Sequence, residues 1–133
     1  NNLETMQTPP PGTRQKGIAA GSTRFFTYGD WGPGGVPPTS EVLWSFPLKL
    51  GAGSVVDAAR SHTALSCADG ALWSLSGPSS LARLAEGATT STQISLPFAV
   101  VDAYVVDPVE PFVYVSGTVT SGASTHYLVR LPR

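Results

Sequence analysis

The chain has 133 residues, the length of one ordinary domain, and charged residues make up only 13% of it. Eight Lys and Arg against nine Asp and Glu give a formal net charge of -1, which disfavours binding to nucleic acid or to an anionic membrane surface. The sequence holds no run of about 18 or more apolar residues, which excludes a membrane-spanning helix. Fourteen Gly and twelve Pro divide it into short segments, a pattern typical of strands joined by turns.

Residues 1–17 are predicted to form an extended, proline-rich arm outside the core. They have almost no apolar pattern, and three consecutive prolines favour the polyproline II conformation. An arm of this kind commonly lies on a neighbouring molecule. We therefore expect Pro9, Pro10 and Pro11 to contact a partner.

Two features of the sequence bear on the cellular compartment of the protein. Cys67 is the single cysteine and cannot form an intramolecular disulfide, which favours a reducing intracellular compartment. The chain begins with Asn1-Asn2 and has no signal-peptide pattern. Import into an organelle followed by processing is compatible with that start.

Residues 18–133 are predicted to form an all-β domain or a fragment of one. Short runs rich in Val, Thr, Phe, Tyr and Trp alternate with Gly, Pro, Asp and Ser at spacings of about ten residues. One stretch, Ser79–Gly87, fits a short helix and a strand about equally well, because Ser80 could cap a helix that Gly87 would end.

Internal similarity indicates two to three passes through one supersecondary unit. Val55-Val56-Asp57-Ala58 and Val100-Val101-Asp102-Ala103 are predicted to begin equivalent blocks. Each block continues to an aromatic strand that ends in Ser-Gly, at residues 71–77 and 112–117. A fainter copy is expected at residues 18–29.

Two hairpins and a last strand are predicted within these units. Asp69-Gly70 separates residues 62–67 from residues 71–76, and Asp-Gly favours the positive backbone angles of a two-residue hairpin turn. In the last unit, residues 104–106 are expected to pair with residues 112–115. The run 126–131 is predicted to be an outer strand with Tyr127, Val129 and Leu131 on one face.

The middle of the chain resembles a repeat of the regulator of chromosome condensation family of β-propellers. The resemblance covers about residues 25–77 and rests on the segments Phe26–Gly35, Pro47–Leu50, Val55–Leu65 and Asp69–Ser74. It implies an architecture of propeller blades, each a small antiparallel sheet. It does not extend to exchange-factor activity on a small GTPase.

The number of units raises a problem for a propeller of this length. A blade buries its faces against neighbouring blades, and closure needs at least about four of them. The chain is therefore expected to be a piece of a longer protein, to complete its sheets against other chains, or to pack as a small sandwich or barrel. The exposed sheet edges must be covered in each case.

One motif is suggestive of an enzyme. The segment Arg24–Gly32 is similar to the first metal-binding motif of purple acid phosphatases, and Asp30 at the end of an apolar strand is a plausible metal ligand. The further motifs of that family are missing from this chain. A metallophosphoesterase-like remnant that uses Gly29-Asp30-Trp31-Gly32 remains as an alternative function.

The two histidines, His62 and His126, are expected to be structural. Their spacing to Cys67 and to the carboxylates fits no zinc motif. A Ser61–His62–Asp57 triad lacks a nucleophile elbow, so we predict no catalytic residue, no metal site and no cofactor.

These observations predict a non-catalytic subunit of a larger assembly that binds other protein subunits, and an isolated chain that is not a stable monomer. A carbohydrate-binding β module is a further alternative, since aromatic side chains on one face could stack on sugars. The predicted partner-binding residues are those of the arm, of the loop 30–38 and of the last strand: Pro9, Pro10, Pro11, Asp30, Trp31, Pro33, Tyr127 and Val129.

Overall fold

The computed structural model describes residues 15–30, 41–49, 51–121 and 123–133, and the regular structure in these ranges is entirely β. The all-β prediction is confirmed. The described ranges contain no helix of the length and apolar character that a membrane span requires. The strands form three antiparallel sheets in chain order.

Each sheet is a meander in which consecutive strands pair with one another. Sheet 1 contains β1 (Gln15–Ala20), β2 (Arg24–Gly29), β3 (Val42–Pro47) and β4 (Ser54–Val56). Sheet 2 contains β5 (Thr63–Ala68), β6 (Ala71–Leu75), β7 (Ser80–Ala85) and β8 (Thr92–Ser95). Sheet 3 contains β9 (Val100–Val106), β10 (Phe112–Ser121) and β11 (Ala123–Pro132).

Two local expectations need correction. Strand β1 begins at Gln15, inside the segment predicted as an arm, because backbone pairing of Gln15 with Gly29 does not require apolar side chains. The helix alternative for residues 79–87 is wrong. Leu81 and Leu84 have opposite parity along β7 and pack into different cores, which a strand between two layers requires.

The predicted hairpins are confirmed. Asp69 and Gly70 have φ angles of 51° and 66°, which suit a two-residue turn with left-handed residues, and Ala68 pairs with Ala71 across it. In sheet 3, Val106 pairs with Val113 and Tyr104 with Val115, so the two segments pair as predicted.

Sheet 2 lies between the other two sheets and has a core on each face. The core between sheets 1 and 2 contains Phe26, Tyr28 and Leu43 from sheet 1 and Leu72 and Leu84 from sheet 2. The core between sheets 2 and 3 is larger, and its fully buried members are Ala71, Trp73, Leu81, Val113 and Val115. The first strands β1, β5 and β9 lie next to one another along one side of the stack.

One backbone hydrogen bond recurs in every sheet and defines equivalent positions. The residue after the third strand donates its N–H to the carbonyl of the residue before the second strand. The three bonds are Leu48 to Thr23 (3.0 Å), Glu86 to Gly70 (2.8 Å) and Arg133 to Pro111 (2.9 Å).

This register corrects the predicted repeat boundaries. The aromatic second strands β2, β6 and β10 are equivalent, as expected. Val55-Val56 ends sheet 1, however, whereas Val100-Val101 begins sheet 3. The two Val-Val-Asp-Ala segments are therefore not equivalent, because a short apolar run suits a last strand and a first strand alike.

Candidate functional site: the end faces of the sheet stack

A buried polar network joins sheet 1 to sheet 2 and contains the residues considered for catalysis. Asp57 follows β4, and His62 precedes β5. His62 Nε2 lies 3.0 Å from Asp57 Oδ2, although its N–H is not aligned for a hydrogen bond, and His62 Nδ1 lies 2.8 Å from Ser74 Oγ. The second carboxylate oxygen, Asp57 Oδ1, accepts a 3.1 Å hydrogen bond from the backbone N–H of Ser91, and the Ser91 hydroxyl donates to Oδ2.

The order of groups is that of a serine–histidine–aspartate relay, but the serine is Ser74 rather than Ser61. A lone pair on Nε2 would be repelled by the facing Asp57 carboxylate, so we assign the imidazole proton to Nε2, and Nδ1 then accepts from the Ser74 hydroxyl. Asp57, His62 and Ser74 are all buried, which leaves no path for a substrate to the hydroxyl. The arrangement fixes the connection between the two sheets, as expected of a structural histidine.

Burial is the main influence on the His62 ring. It lowers the pKa of His62, and the nearby Asp57 carboxylate opposes this effect without overcoming it. The ring is therefore neutral around pH 7.

An open cleft of about 400 Å³ lies beside this network. Arg60 reaches across it, with Nη1 donating a 2.9 Å hydrogen bond to Gln93 Oε1 and Nε lying 3.6 Å from Asp57 Oδ1. The Arg60 guanidinium is thus engaged with Gln93 and Asp57. The cleft lining consists of Ala59, Arg60, Ser61, Ser76, Gly77 and Gln93.

The remaining groups considered for metal chemistry lie apart from one another. Asp30 directly follows β2, as predicted, whereas Trp31 and Gly32 fall outside the described residues. The second histidine, His126, is exposed on β11, with Nδ1 3.3 Å from Asp102 Oδ2. Among the described residues, three or more His, Cys, Asp or Glu side chains are nowhere grouped as metal ligands.

The predicted partner-binding residues have different outcomes. Pro9, Pro10, Pro11, Trp31 and Pro33 lie outside the described residues. Tyr127 and Val129 share a face of β11, as predicted, and the face is the one turned toward sheet 2. Val129 packs against the core between sheets 2 and 3, while Tyr127 stays half exposed at its margin.

The opposite face of sheet 3, which we call the sheet 3 end face, was missed by the sequence analysis. Val113 and Val115 point into the core, so Tyr114 between them points away from it. Val105 pairs with Tyr114, and Leu128 pairs with Ser116 on the same face. Leu128 and Val105 expose 73% and 58% of their surface.

Equivalent positions in the other sheets are buried. Leu43 and Leu81 stand five residues before Leu48 and Glu86, just as Leu128 stands five residues before Arg133. Both are 0% exposed, because the next sheet covers them. Phe26 and Trp73 occupy the place of Tyr114 and are likewise buried under the following sheet.

The sheet 1 end face lies at the other end of the stack. It carries Phe25, Phe46 and Trp44, with the Phe25 and Phe46 rings stacked 4.9 Å apart and the Trp44 and Phe46 rings 6.0 Å apart. Phe46 is buried, partly by the backbone of Gly53. At the margins of this face Ile18 is 70% exposed and Val55 40% exposed.

A carboxylate fastens sheet 2 to the first turn of sheet 1. Glu86 accepts hydrogen bonds from the backbone N–H groups of Ser22 (2.7 Å) and Thr23 (2.8 Å) and from both hydroxyls. Partial burial acts to raise the pKa of Glu86, but these hydrogen bonds outweigh it and hold that pKa below its usual range. A Cβ on Gly21 would lie only 2.0 Å from Glu86 Oε1, so a side chain at that position would displace the carboxylate.

Comparisons with protein-family profiles, with curated proteins and with solved structures find no match to this chain.

Proposed function

We propose that this chain is a non-catalytic, propeller-like interaction subunit of a larger protein assembly. The observation that carries the proposal is the sheet 3 end face. It repeats the apolar positions that sheets 1 and 2 bury under a following sheet, but within the described part of the chain no sheet follows it. Apolar surface of this kind, set on a rigid sheet, is typical of protein interfaces.

The blade interpretation draws its support from two features. The three sheets are meanders stacked in chain order with their first strands side by side, as blades are around an axis. The resemblance of residues 25–77 to regulator of chromosome condensation repeats points to the same architecture. The three described sheets are fewer than a closed ring needs, which leaves the faces at both ends of the stack available to a partner.

A binding role agrees with the chemistry of the polar groups. Asp57, His62 and Ser74 have internal partners and are buried, and Arg60 is engaged with Gln93. On the sheet 3 end face, by contrast, Val105 and Leu128 are exposed apolar side chains, and Arg130 lies beside Tyr114 on the same face.

Gel filtration of extracts from cells that produce the chain tests this function. We expect the chain to elute at a mass well above its own 13.8 kDa. The Leu128→Glu variant should elute at a smaller mass, because a carboxylate cannot be buried against an apolar partner at low cost.

Ser95→Glu is the matched control. Ser95 is exposed on β8, the outer strand of sheet 2, and its substitution should leave the elution unchanged. Elution of the unmodified chain at the mass of a single copy would contradict the proposed function.

A further inference from the structure

We propose that the partner is a second copy of this chain, with sheet 3 of each copy packed on sheet 1 of the other. The inference rests on the proposed function and specifies its partner. The three described sheets of each copy would together form a ring of six, within the range of roughly four to eight blades that closed propellers use.

The first argument is continuity with the two junctions inside the chain. In each junction, one face of a sheet buries an aromatic residue and a leucine under the next sheet: Phe26 with Leu43, then Trp73 with Leu81. Tyr114 and Leu128 continue this series on the sheet 3 end face. A face of the same design predicts a third junction of the same kind.

The second argument is that the sheet 1 end face is the matching half. In each junction the later sheet covers the earlier one with an apolar residue from its second strand. That residue is the second one of the strand: Leu72 in sheet 2 and Val113 in sheet 3. Phe25 occupies that place in sheet 1. Ile18, on the neighbouring strand of the same face, is left largely exposed.

The third argument is chemical matching at the first turn. The residue after the third strand contacts the first turn of the preceding sheet: Glu86 binds Ser22 and Thr23, and Arg133 Nε lies 3.7 Å from Asp69 Oδ2. In both junctions the two sides are complementary in polarity or charge.

In the proposed junction the corresponding pair is Leu48 with the turn that contains Val109. Both are apolar, and both are exposed in the single chain, Leu48 by 46% and Val109 by 81%. An apolar residue would thus meet an apolar turn in the proposed junction, so its two sides match as they do in the other two. A contact of this type joins two different faces, so two copies must associate head to tail.

Sedimentation of the purified full chain tests the proposal. We expect a species of twice 13.8 kDa that does not grow further at high concentration, because the ring is closed. Leu128→Glu and Ile18→Lys should each weaken the pair by at least about 100-fold, since each places a charge in the buried contact. Both side chains are exposed in the single chain, so circular dichroism should show an unchanged fold.

Mixing the two variants gives the most specific result. A mixed pair has one unaltered contact and one in which Glu faces Lys, so the mixture should recover the double mass that neither variant forms alone. A pair built from two sheet 3 end faces would show no recovery and no effect of Ile18→Lys, which would overturn the head-to-tail arrangement. Open-ended growth would overturn closure by two copies.

A purified chain that stays monomeric at all concentrations would overturn the second copy as partner. If the chain in cell extracts still eluted at a mass well above that of a single copy, the proposed function would stand with another protein as partner. If it were small there too, both would fail.

Discussion

At the scale of single residues, the Asp57–His62–Ser74 network shows how catalytic residue types can serve structure. The order of groups permits general-base chemistry, but burial removes access. Removing one member is costly, because it leaves buried polar atoms of the others without a partner. It holds the crossover between two sheets in one conformation, with Asp57 at a left-handed φ of 47°.

The buried His62 predicts that the chain loses stability in mild acid. The folded-state pKa of His62 is lowered from its usual value of 6.5, so the unfolded state binds a proton more readily as pH falls below that value. The contribution is complete above pH 6.5 and is lost below it, by at most about 1.4 kcal/mol per pH unit for one proton. Urea unfolding at a series of pH values measures this slope.

The His62→Gln variant is the control for that slope. It should be less stable at pH 7, because glutamine does not reproduce the imidazole packing and the contact with Ser74, but its stability should change less between pH 7 and pH 5. Equal slopes for the two proteins would show that His62 is not the group that titrates.

The sequence analysis did not predict this network: it took His62 as structural and rejected a Ser61–His62–Asp57 triad. Asp57 and His62 are near each other in the chain, but nearness alone does not establish a contact. Ser74 and Ser91 come from later strands and loops, and their place depends on sheet pairing. Local spacing therefore suggested Ser61, which is exposed.

At the scale of elements, the Glu86 contact links a turn of sheet 1 to the end of β7. Glu86→Gln should lower the free energy of unfolding by about 1 kcal/mol, because charge-assisted hydrogen bonds become neutral ones and one acceptor becomes a donor. Gly21→Ala should have a similar effect, since its methyl group displaces the carboxylate. Chemical denaturation at pH 7 measures both.

The effect has a defined pH dependence. The folded-state pKa of Glu86 is depressed, so its stabilisation is present above the ordinary value of 4.5 and is lost as pH falls through the folded pKa. The difference between wild type and Glu86→Gln should shrink accordingly in acid. Additive losses in the Gly21→Ala/Glu86→Gln double variant would argue against a shared contact.

Elements were predictable where turn chemistry is local. Asp69-Gly70 specified its hairpin, and the aromatic strands β6 and β10 were found as equivalents. The prediction that the two Val-Val-Asp-Ala segments are equivalent was wrong, because four residues do not distinguish the last strand of a sheet from the first strand of another. The strand at 80–85 could not be separated from a helix, since its two faces enter different cores and carry no alternating polarity.

At the scale of the whole molecule, the number of repeat units in the sequence was the best guide to where we propose that the chain binds a partner. Too few units to close a ring implied that some surface needs covering, and the structure locates apolar surface at both ends of the stack. Sequence patterns could not show which face of sheet 3 is the outer one. Tyr127 and Val129 were chosen, whereas Leu128 and Val105 on the reverse face are the more exposed.

The central claim is that the sheet 3 end face is covered in the assembled protein. Thiol labelling of a Leu128→Cys variant under native conditions tests it directly. The natural Cys67 gives little background, because burial raises its pKa to about 11 and keeps its thiol protonated. A Ser95→Cys variant reports the rate of an exposed thiol.

We predict that Leu128→Cys is labelled at least about tenfold more slowly than Ser95→Cys in the assembled protein. The two rates should become equal when the same protein is denatured. Equal rates in the native protein would mean that the end face is open to solvent and would contradict the account.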